Sequence, residues 1–404
     1  MGHHQRGCVV VGAGLAAATT IQTLREEGFD DPITLIGEEV DRPYERPPLS
    51  KEYLQGRTDL ADLYVHPNGW YHDHAVDTHF GQRALGIDRN TREVHLRAGQ
   101  AVGYQQLVLT TGSSPRTLNL PGTDLAGIHT LRTIADANNL QTILTPGRRL
   151  VIIGAGWIGL EIAAAARMAD CQVTVLEAAT VPLRNVLGQR LGEYFAQMHR
   201  QRGVDLRTAT RVLGIRGRGG QVTGVDTESG QITADAVLVA AGATPNTGLA
   251  EDAGLHVDNG IVVDDQLRSS DKAIFAAGDV ANAEQPALGR RLRVEHWDNA
   301  IRQGDLVAKT ILGRNDRYDW QPYFFTDQYD LGMEYVGRSD PKDEVVIRGD
   351  LEDGVFVTFW TRHNTVTAAM NVNLWDVNDD LRRLIGRRIP TDRLRDPTIE
   401  LAEL

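Results

Sequence analysis

The chain has 404 residues, of which 41% are hydrophobic, 24% charged and 6% aromatic, and it contains 41 glycines. This composition supports a large apolar core in two or three domains and excludes a disordered or fibrous protein. The formal net charge of −12 argues against nucleic acid or an anionic membrane as the main partner. No apolar run approaches the roughly 18 residues of a membrane-spanning helix, and the polar residues 1–7 do not look like a signal peptide.

The chain contains two cysteines, Cys8 and Cys171, and no Cys-x-x-Cys motif. Disulfide scaffolds, Cys-ligated zinc or iron–sulfur sites and dithiol redox chemistry are therefore not expected. His72 and His74 lie in a polar segment, where solvation is more plausible than metal binding. The sequence predicts no metal site and favours a reducing, cytoplasmic location.

The first informative motif lies near the N-terminus. An apolar, β-branched run at 8–11 is followed by Gly12, Gly14 and Ala17 in a GxGxxG/A pattern, and then by an alanine-rich helical stretch. The first glycine permits a tight turn, the second lets the backbone approach a pyrophosphate, and the small third residue lets the helix pack on the strand. The N–H groups and the dipole at the start of the helix favour an anion.

The residues that follow strengthen this interpretation. A second strand is predicted at Ile33–Ile36, and Glu38 stands just beyond it, 26 residues after Gly12. A carboxylate at this position can accept hydrogen bonds from a ribose diol. The motif, the helix and the acidic residue together predict a dinucleotide site.

The same arrangement recurs in the middle of the chain. A strand at 150–153 leads into a second GxGxxG motif and a helical stretch that ends at Met168, and a strand at 172–176 is followed by Glu177, 23 residues after the first glycine. Two copies of one device predict two dinucleotide sites. The glycines of the second motif are Gly154, Gly156 and Gly159.

Glu177 predicts that the second site prefers NAD to NADP. A carboxylate about 4 Å from the 2′-phosphate of NADP would repel it by about 1–3 kcal/mol after solvent screening. Arg184, a few residues beyond, could contact the adenosine or be a solvated surface arginine.

Several further stretches carry a family resemblance. They are PYERPPLSK at 43–51, LTTGS at 109–113, AAGATPN at 240–246, IFAAGD at 274–279 and EHW at 295–297. In this order, and together with the two glycine motifs, they resemble the two-dinucleotide flavoprotein reductases over nearly the whole chain. More narrowly, the chain resembles the NADH-dependent ferredoxin reductases that serve bacterial oxygenases.

The resemblance implies an α/β fold like that of glutathione reductase, with two Rossmann-like dinucleotide-binding domains and a C-terminal α+β domain. The FAD-binding domain would be discontinuous, from 1–114 and 244–321, and would enclose an NAD-binding domain at 115–243. An interface domain at 322–404 would follow. Residues 345–347, 355–360 and 366–370 of that last domain have the pattern of strands, and 378–385 that of a helix.

The resemblance also implies the site residues. Lys51 would lie beside the reactive flavin nitrogen and stabilise negative charge on the reduced flavin, and Glu161 would face Lys51 and help to seat the nicotinamide. FAD would be held by Gly12, Gly14, Ala17, Glu38, Lys51, Arg132, Asp279 and Trp297. NAD would be held by Gly154, Gly156, Gly159, Glu177, Arg184 and Gly242.

The residues themselves give independent reasons for three of these assignments. Two prolines fix an extended segment before Ser50, and Ser50 could cap a helix whose first turn holds Lys51. The helix dipole makes the first turn an unfavourable place for a cation, which is what a functional lysine would produce. The alternative is that Lys51 is a solvated surface residue. Asp279 follows an apolar strand, where ligands bind in open α/β sheets or where an acid caps a helix. Trp297 either lies near the isoalloxazine or belongs to the core, ahead of a helix predicted at 300–312.

The chemistry follows from the resemblance. A nicotinamide gives up a hydride, an iron–sulfur centre accepts one electron at a time, and a flavin can do both. The implied activity is transfer from NADH through FAD to a 2Fe–2S ferredoxin that supplies a haem monooxygenase or a Rieske dioxygenase. The protein would be a monomer or a weak homodimer.

A local basic segment suggests where the ferredoxin would dock. Residues 289–302 carry four arginines against two acidic residues in a chain of net charge −12. An acidic ferredoxin could be steered there, although a solvated basic face gives the same pattern. The arginines are Arg290, Arg291, Arg293 and Arg302.

Three other functions share parts of this pattern. An NADH oxidase or disulfide reductase of the same fold needs a redox cysteine near the flavin, where this chain has Leu49-Ser50-Lys51. A flavin monooxygenase would carry an additional NADP signature, and we find none. A binding protein like apoptosis-inducing factor would carry a targeting segment or a basic DNA-binding surface, which the sequence does not show.

Overall fold

The computed structural model describes residues 6–404. Residues 1–5, most of the segment predicted not to be a signal peptide, lie outside the described residues. No helix within 6–404 combines the length and the apolar character needed to cross a membrane.

The strands are numbered in chain order. The first twelve are β1 Gly7–Val11, β2 Ile33–Ile36, β3 Val76–His79, β4 Ala84–Asp88, β5 Glu93–Leu96, β6 Ala101–Leu109, β7 Ser113–Pro115, β8 Ile128–His129, β9 Arg149–Ile153, β10 Gln172–Leu176, β11 Asp205–Arg207 and β12 Val212–Arg218. They are followed by β13 Gln221–Thr227, β14 Gly230–Thr233, β15 Ala236–Val239, β16 Ala243–Pro245, β17 Ile261–Val263, β18 Ile274–Ala276, β19 Ala281–Gln285, β20 Arg290–Arg293, β21 Tyr323–Gln328, β22 Leu331–Gly337, β23 Glu344–Asp350, β24 Val355–Arg362 and β25 Thr365–Val372.

The α-helices are α1 Leu15–Glu26, α2 Leu60–Leu63, α3 Trp70–Asp73, α4 Ile134–Ile143, α5 Trp157–Met168, α6 Arg184–Leu187, α7 Gln189–Gln201, α8 Gly248–Asp252, α9 Trp297–Ile311, α10 Asn378–Leu384 and α11 Thr391–Arg395. Short 3-10 helices lie at Pro47–Ser50, Gly278–Val280, Pro286–Leu288 and Leu401–Glu403.

The first of two compact units comprises 6–46, 60–114 and 244–320. Its sheet has the order β3-β2-β1-β6-β5-β4, with β18 also paired to β6, and the strands β1, β2, β3, β6 and β18 run parallel. The strands β1, β2 and β18 are nearly continuous apolar runs, as expected of parallel strands buried on both faces. Val10, Leu35 and Val108 are fully buried at its centre.

The second unit comprises 47–59, 115–243 and 321–404. It contains a five-stranded parallel sheet, β11-β10-β9-β15-β8, and an antiparallel sheet, β21-β22-β25-β24-β23, at the C-terminal end of the chain. Side chains from both sheets, such as Ile152 and Trp360, belong to one buried cluster. Segment 47–59 groups with this unit rather than with the rest of 1–114.

The structure confirms the predicted fold class. The strands predicted at 33–36 and 172–176 have those bounds, and the strands before the two glycine motifs each begin one residue earlier than predicted. The C-terminal strands are longer than their sequence patterns suggested, because cross-strand pairing extends regular structure beyond the alternating core residues.

Candidate functional site

The first glycine loop has the backbone that its motif requires. Gly12 has φ +107°, and a Cβ atom there would lie 2.2 Å from the carbonyl oxygen of Thr110. Its own N–H donates to the carbonyl of Ile36 at 2.8 Å, which ties the loop to the end of β2. Only glycine fits, because both the left-handed conformation and the space exclude a side chain.

The second glycine of the motif, Gly14, leaves open space beside the start of α1. A Cβ atom on Gly14 would meet nothing within 4 Å, and no side chain caps α1, which starts at the next residue. The first N–H groups of a helix have no partner within the helix, so at this end they remain available to an anion. Ala17 is fully buried. These features fit the diphosphate of FAD.

Glu38 lies on the surface just after β2. Its side chain is 63% exposed and pairs with Arg83 at 3.3 Å. Such an exposed pair contributes little stability, so the carboxylate can exchange this partner for a ribose hydroxyl at little cost.

Sequence reasoning missed a cluster built from the segment between β2 and the first 3-10 helix. Arg46 pairs with Glu39 at 2.8 Å and donates to the hydroxyl of Tyr44 at 2.9 Å, and that hydroxyl donates to Glu39 at 2.6 Å. Burial opposes the charge on Arg46, but Tyr44, Glu39 and Asp279 together raise the pKa of Arg46 above its usual value. The PYERPP stretch was the available signal for this cluster.

Asp279 lies one residue into the 3-10 helix that follows β18. It accepts a hydrogen bond from the hydroxyl of Ser113 at 3.0 Å. The N-cap residue of this helix is Ala277, so the alternative role of Asp279 as a helix cap is excluded.

An unused donor lies close by in the same unit. The N–H of Gly278 donates to Gln303 Oε1 at 2.8 Å, which leaves Gln303 Nε2 buried with no hydrogen-bond partner among residues 6–404. Buried polar atoms are normally satisfied, and an exception suggests a ligand. The orphaned amide therefore fits a polar group of FAD.

Trp297 is the first residue of α9, so this helix begins three residues earlier than the predicted 300–312. Burial raises the pKa of the Glu45 carboxyl, and a hydrogen bond from the Trp297 side chain opposes that rise. The indole is half-buried, not a core residue. His296, in extended conformation, precedes the helix as its N-cap.

The second glycine loop repeats the geometry of the first. Gly154 has φ +107°, and an added Cβ atom would lie 2.4 Å from the carbonyl oxygen of Ala240, whereas a Cβ atom on Gly156 would meet nothing within 4 Å. Gly159 is needed for packing, because its Cβ atom would lie 2.1 Å from the carbonyl oxygen of Gly154. Helix α5 also lacks a side-chain cap. The loop therefore fits the diphosphate of NAD.

Glu177 has partners that the sequence did not suggest. Its two carboxylate oxygens accept hydrogen bonds from the N–H groups of Ala155 and Ala179, both at 2.8 Å. The side chain therefore fixes a negative charge at the end of β10 and ties that end to the glycine loop.

The other two predicted NAD contacts lie in the same unit, Arg184 at the start of α6 and Gly242 in the loop between β15 and β16. The guanidinium of Arg184 donates to Thr180 and, at 3.0 Å, to Gln189, and it is exposed. Gly242 has φ +94°, and its carbonyl accepts from the N–H of Arg116 at 2.9 Å. The structure does not bring Arg184 into hydrogen-bond contact with Glu177.

The prediction that Ser50 caps a helix with Lys51 in its first turn is wrong. Pro47–Ser50 is a single 3-10 turn, and residues 51–56 continue as turns rather than as an α-helix. The Ser50 hydroxyl donates to Glu161 at 2.5 Å instead of capping a helix. Lys51 therefore does not lie in the first turn of an α-helix, and its ammonium is held by Glu161 instead.

Lys51 and Glu161 form a buried ion pair. The ammonium lies 3.0 Å from Glu161 Oε1, and the two side chains are 7% and 4% exposed. Glu161 accepts a third hydrogen bond, from the hydroxyl of Thr326 at 2.5 Å. A buried pair persists only where such additional hydrogen bonds offset the loss of hydration.

Arg132 stands immediately before α4. Its backbone N–H donates at 2.9 Å to Asp136, and Asp136 and Thr133 form the reciprocal cap of that helix. The helix start therefore fixes the backbone of Arg132, and the residue is half-buried.

Both cysteines are buried and unsuited to redox chemistry. Burial raises the pKa of the Cys8 thiol to about 12 and also raises the pKa of Cys171. Since the thiolate is the reactive form, neither side chain is an activated nucleophile.

The two histidines of the polar segment lie on and beside α3. The His72 side chain is 93% exposed, and the His74 ring stacks on Trp70 at 4.0 Å between centroids. No group of acidic, histidine and cysteine side chains in the described part of the chain has the arrangement of a metal site.

The four arginines of the basic segment differ in their ion-pair partners. Arg293 pairs with Glu295, and Arg302 pairs with Asp298 at 2.9 Å. Arg291 lies 3.6 Å from Glu284. The side chain of Arg290 is exposed and makes no hydrogen bond or ion pair within 6–404.

Comparisons with known proteins agree with this geometry. The family model of the pyridine nucleotide-disulphide oxidoreductases matches residues 6–304, and the reductase C-terminal model matches residues 323–404. The chain is 40% identical to the ferredoxin–NAD(+) reductase component of the anthranilate 1,2-dioxygenase system of Burkholderia cepacia, over 97% of this chain and 98% of that protein. It is 35% identical to putidaredoxin reductase of Pseudomonas putida, over 98% of this chain and 96% of that protein.

Solved structures show the same likeness. The reductase in the covalent putidaredoxin reductase–putidaredoxin complex superimposes with a TM-score of 0.95 at 34% identity, over 98% of this chain and 97% of that chain. The ferredoxin reductase for the CYP199A2 system from Rhodopseudomonas palustris gives a TM-score of 0.94 at 34% identity, over 98% and 99%. A water-forming NADH oxidase from Lactobacillus brevis, 22% identical with a TM-score of 0.85 over 94% and 90%, shares the fold.

Proposed function

Because the chain belongs to the pyridine nucleotide-disulphide oxidoreductase family, we propose that it is a flavoprotein reductase that passes electrons from NADH to a ferredoxin. Its cofactors are FAD and NAD(H). The observation that carries the proposal is the buried Lys51–Glu161 pair, preceded by Ser50, at the place where a disulfide reductase of this fold carries its redox cysteine. Two relatives that match 97% and 98% of the chain are a ferredoxin–NAD(+) reductase component and putidaredoxin reductase.

The proposed partner is a 2Fe–2S ferredoxin that serves an oxygenase. One NADH supplies two electrons, two ferredoxins take one each, and one proton is released. FAD, when bound, supplies the conversion from hydride acceptance to single-electron donation. The protein contributes binding and electrostatics: Lys51 places a positive charge, and Glu161 holds it in position through the 3.0 Å contact.

The assignment of cofactors to segments is part of the proposal. FAD belongs to 1–114 with 244–321 and NAD to 115–243, and 322–404 forms the interface domain. The two glycine loops, each with open space at its second glycine ahead of a helix start without a side-chain cap, support it. The residues proposed to hold FAD are Gly12, Gly14, Ala17, Glu38, Lys51, Arg132, Asp279 and Trp297, and those for NAD are Gly154, Gly156, Gly159, Glu177, Arg184 and Gly242.

Stopped-flow absorbance tests the function directly. The yellow protein is mixed with NADH, with and without a plant-type 2Fe–2S ferredoxin. We expect rapid flavin bleaching, slow reoxidation by oxygen and fast reoxidation by ferredoxin. Fast reoxidation by oxygen alone would assign the protein as an oxidase, and a colourless protein would overturn the FAD assignment.

The preference for NADH is expected to depend on the charge of Glu177. Replacing Glu177 with glutamine keeps an oxygen for the N–H of Ala155 or Ala179 but removes the charge that repels a 2′-phosphate. We expect the ratio of kcat/KM for NADPH to that for NADH to rise about tenfold, from a repulsion of about 1–3 kcal/mol.

The Glu177→Ala variant is the comparison, because it removes both the charge and the loop contacts. It should weaken both nucleotides and still raise the ratio. An unchanged ratio in both variants would contradict the role of Glu177 in nucleotide choice.

Ferredoxin docking is proposed at the basic segment that carries Arg290, Arg291, Arg293 and Arg302. Arg291, Arg293 and Arg302 each pair with a carboxylate, whereas Arg290 has no ion-pair partner within 6–404, so Arg290 provides most of the available charge. We expect an Arg290→Glu, Arg291→Glu variant to raise the KM for ferredoxin about tenfold at low salt, with the difference fading as salt screens exposed charges.

The control is Arg218→Glu, made on an exposed arginine at the end of β12 in the other unit. Flavin reduction by NADH should be normal in both proteins. If the KM for ferredoxin changes neither with ionic strength nor in the charge-reversed variant, this docking surface is excluded.

A further inference from the structure

A continuous chain of hydrogen bonds leads away from Glu161 through side chains that the proposed function does not use. It begins at Thr326 and Gln328, which lie two residues apart on β21 and therefore point to the same face of the strand. Both side chains are buried, with 0% and 1% exposure. Gln328 Nε2 donates to Thr326 Oγ1 at 3.2 Å.

The series of hydrogen bonds continues to a residue of α7. His199 is fully buried, and its Nε2 lies 2.8 Å from Gln328 Oε1. On the other side of the ring, Nδ1 lies 3.4 Å from the hydroxyl of Tyr329. Residues from three elements, α5, β21 and α7, thus share one polar path inside an otherwise apolar cluster.

The carboxylate at the end of this path fixes its direction. An ionised Glu161 can only accept, so the single hydroxyl hydrogen of Thr326 is directed at Glu161. Thr326 must then accept from the amide N–H of Gln328, whose oxygen is left to face His199. His199 consequently donates through Nε2–H, and its Nδ1 is the acceptor for Tyr329.

We propose that His199 is a positioning residue for the Lys51–Glu161 pair: held as its neutral Nε2–H tautomer, it orients Gln328 and thereby keeps the Thr326 hydroxyl donating to Glu161. This inference rests on the proposed function only for its kinetic consequence. The tautomer and the direction of the path follow from the contacts alone.

The surroundings of His199 keep the ring neutral. The pKa of His199 is lowered to about 4: burial lowers it most, the hydrogen bond with Gln328 opposes this, and repulsion from Arg202 also lowers it. Arg202 lies over the Tyr329 ring at 4.7 Å and pairs with Asp330. Burial also raises the pKa of Tyr329 to about 12, so its hydroxyl retains its hydrogen at neutral pH.

The first test is spectroscopic. Long-range hydrogen–nitrogen correlation spectra of the FAD-loaded protein, labelled with nitrogen-15 on histidine, report the tautomer of each ring. We expect the signal that disappears in His199→Gln to be the Nε2–H tautomer and to stay unchanged from about pH 5.5 to about pH 8. Titration in that range, or the Nδ1–H tautomer, would overturn the proposal.

The second test asks whether the two ends of the path are coupled. Thr326→Val removes the hydroxyl at nearly constant volume, and Thr326→Ser retains it. In Thr326→Val the His199 signal should change, because the amide of Gln328 loses its acceptor, and Thr326→Ser should restore it. An unchanged His199 signal in Thr326→Val would show that the path does not reach His199.

The kinetic consequence is measured on the same proteins. We expect His199→Leu and Thr326→Val each to slow flavin reduction by saturating NADH about fivefold or more, with the dissociation constant for NADH unchanged. His199→Gln, which can still donate to Gln328, and Thr326→Ser should recover most of the rate. His363→Gln, at an exposed turn, is the control. Equal rates in His199→Leu and His199→Gln would exclude a positioning role.

The two readouts separate this inference from the proposed function. If ferredoxin is not the acceptor, the tautomer and the effect of Thr326→Val on it are still expected. If the tautomer differs, the reductase assignment stands and only the positioning role fails.

Discussion

Replacing Lys51 with methionine should lower the free energy of unfolding by about 3–5 kcal/mol, since it leaves a buried carboxylate without its ion-pair partner. Glu161 is 4% exposed and would retain only the hydroxyls of Ser50 and Thr326 as donors. Urea unfolding monitored by fluorescence measures the loss.

The same substitution should slow flavin reduction by NADH about 100-fold, because a fixed charge near developing charge contributes that much in other enzymes. The double variant Lys51→Met, Glu161→Gln separates the two effects. Its neutral amide oxygen still accepts from one of the Ser50 and Thr326 hydroxyls, and its NH2 group can donate to the oxygen of the other, so most of the stability should return while the rate stays low. If the rate returned together with the stability, Lys51 would have a structural role alone.

Gly154→Ala should lower the stability of the protein, whereas Gly156→Ala should lower its affinity for NADH. At Gly154 the new Cβ atom would lie 2.4 Å from the carbonyl oxygen of Ala240 at φ +107°, a conflict within the protein itself. We expect a loss of about 2–5 kcal/mol in the free energy of unfolding, from backbone strain and displaced packing.

At Gly156 the backbone has φ −78°, which alanine adopts freely, and the new atom would meet nothing within 4 Å. Stability should change by less than about 1 kcal/mol, because the new residue only replaces glycine at a helix N-cap. The affinity for NADH should nevertheless fall tenfold or more, about 1.4 kcal/mol, because the methyl group occupies the space predicted for the pyrophosphate.

Titration with NADH under anaerobic conditions and urea unfolding measure both quantities. FAD content should be normal in Gly156→Ala. Normal NADH affinity in that variant would show that the nucleotide does not use this loop.

Features that depend on local conformation could be predicted from the sequence. A tight strand-to-helix turn needs a positive φ at its first residue, and this requirement appears in the sequence as Gly12 and Gly154 whatever the rest of the chain does. Strands β2 and β10 were located to the residue, because a buried parallel strand is a short apolar run bounded by polar residues. The family resemblance gave the fold class and the identity of Lys51 and Glu161.

Tertiary structure alone decided where the polar partners are. Ser50 has the residue type of a helix cap, but its hydroxyl donates to the carboxylate of Glu161, 111 positions along the chain, and no α-helix starts there. Glu177 likewise holds backbone N–H groups of its own loop. The contacts of buried His199 carry no signal in the sequence, because its partner Gln328 lies 129 positions away. Local conformation is encoded locally, whereas the hydrogen-bond partner of a buried polar group is chosen by whichever distant segment packs against it, since burial removes the water that would otherwise serve.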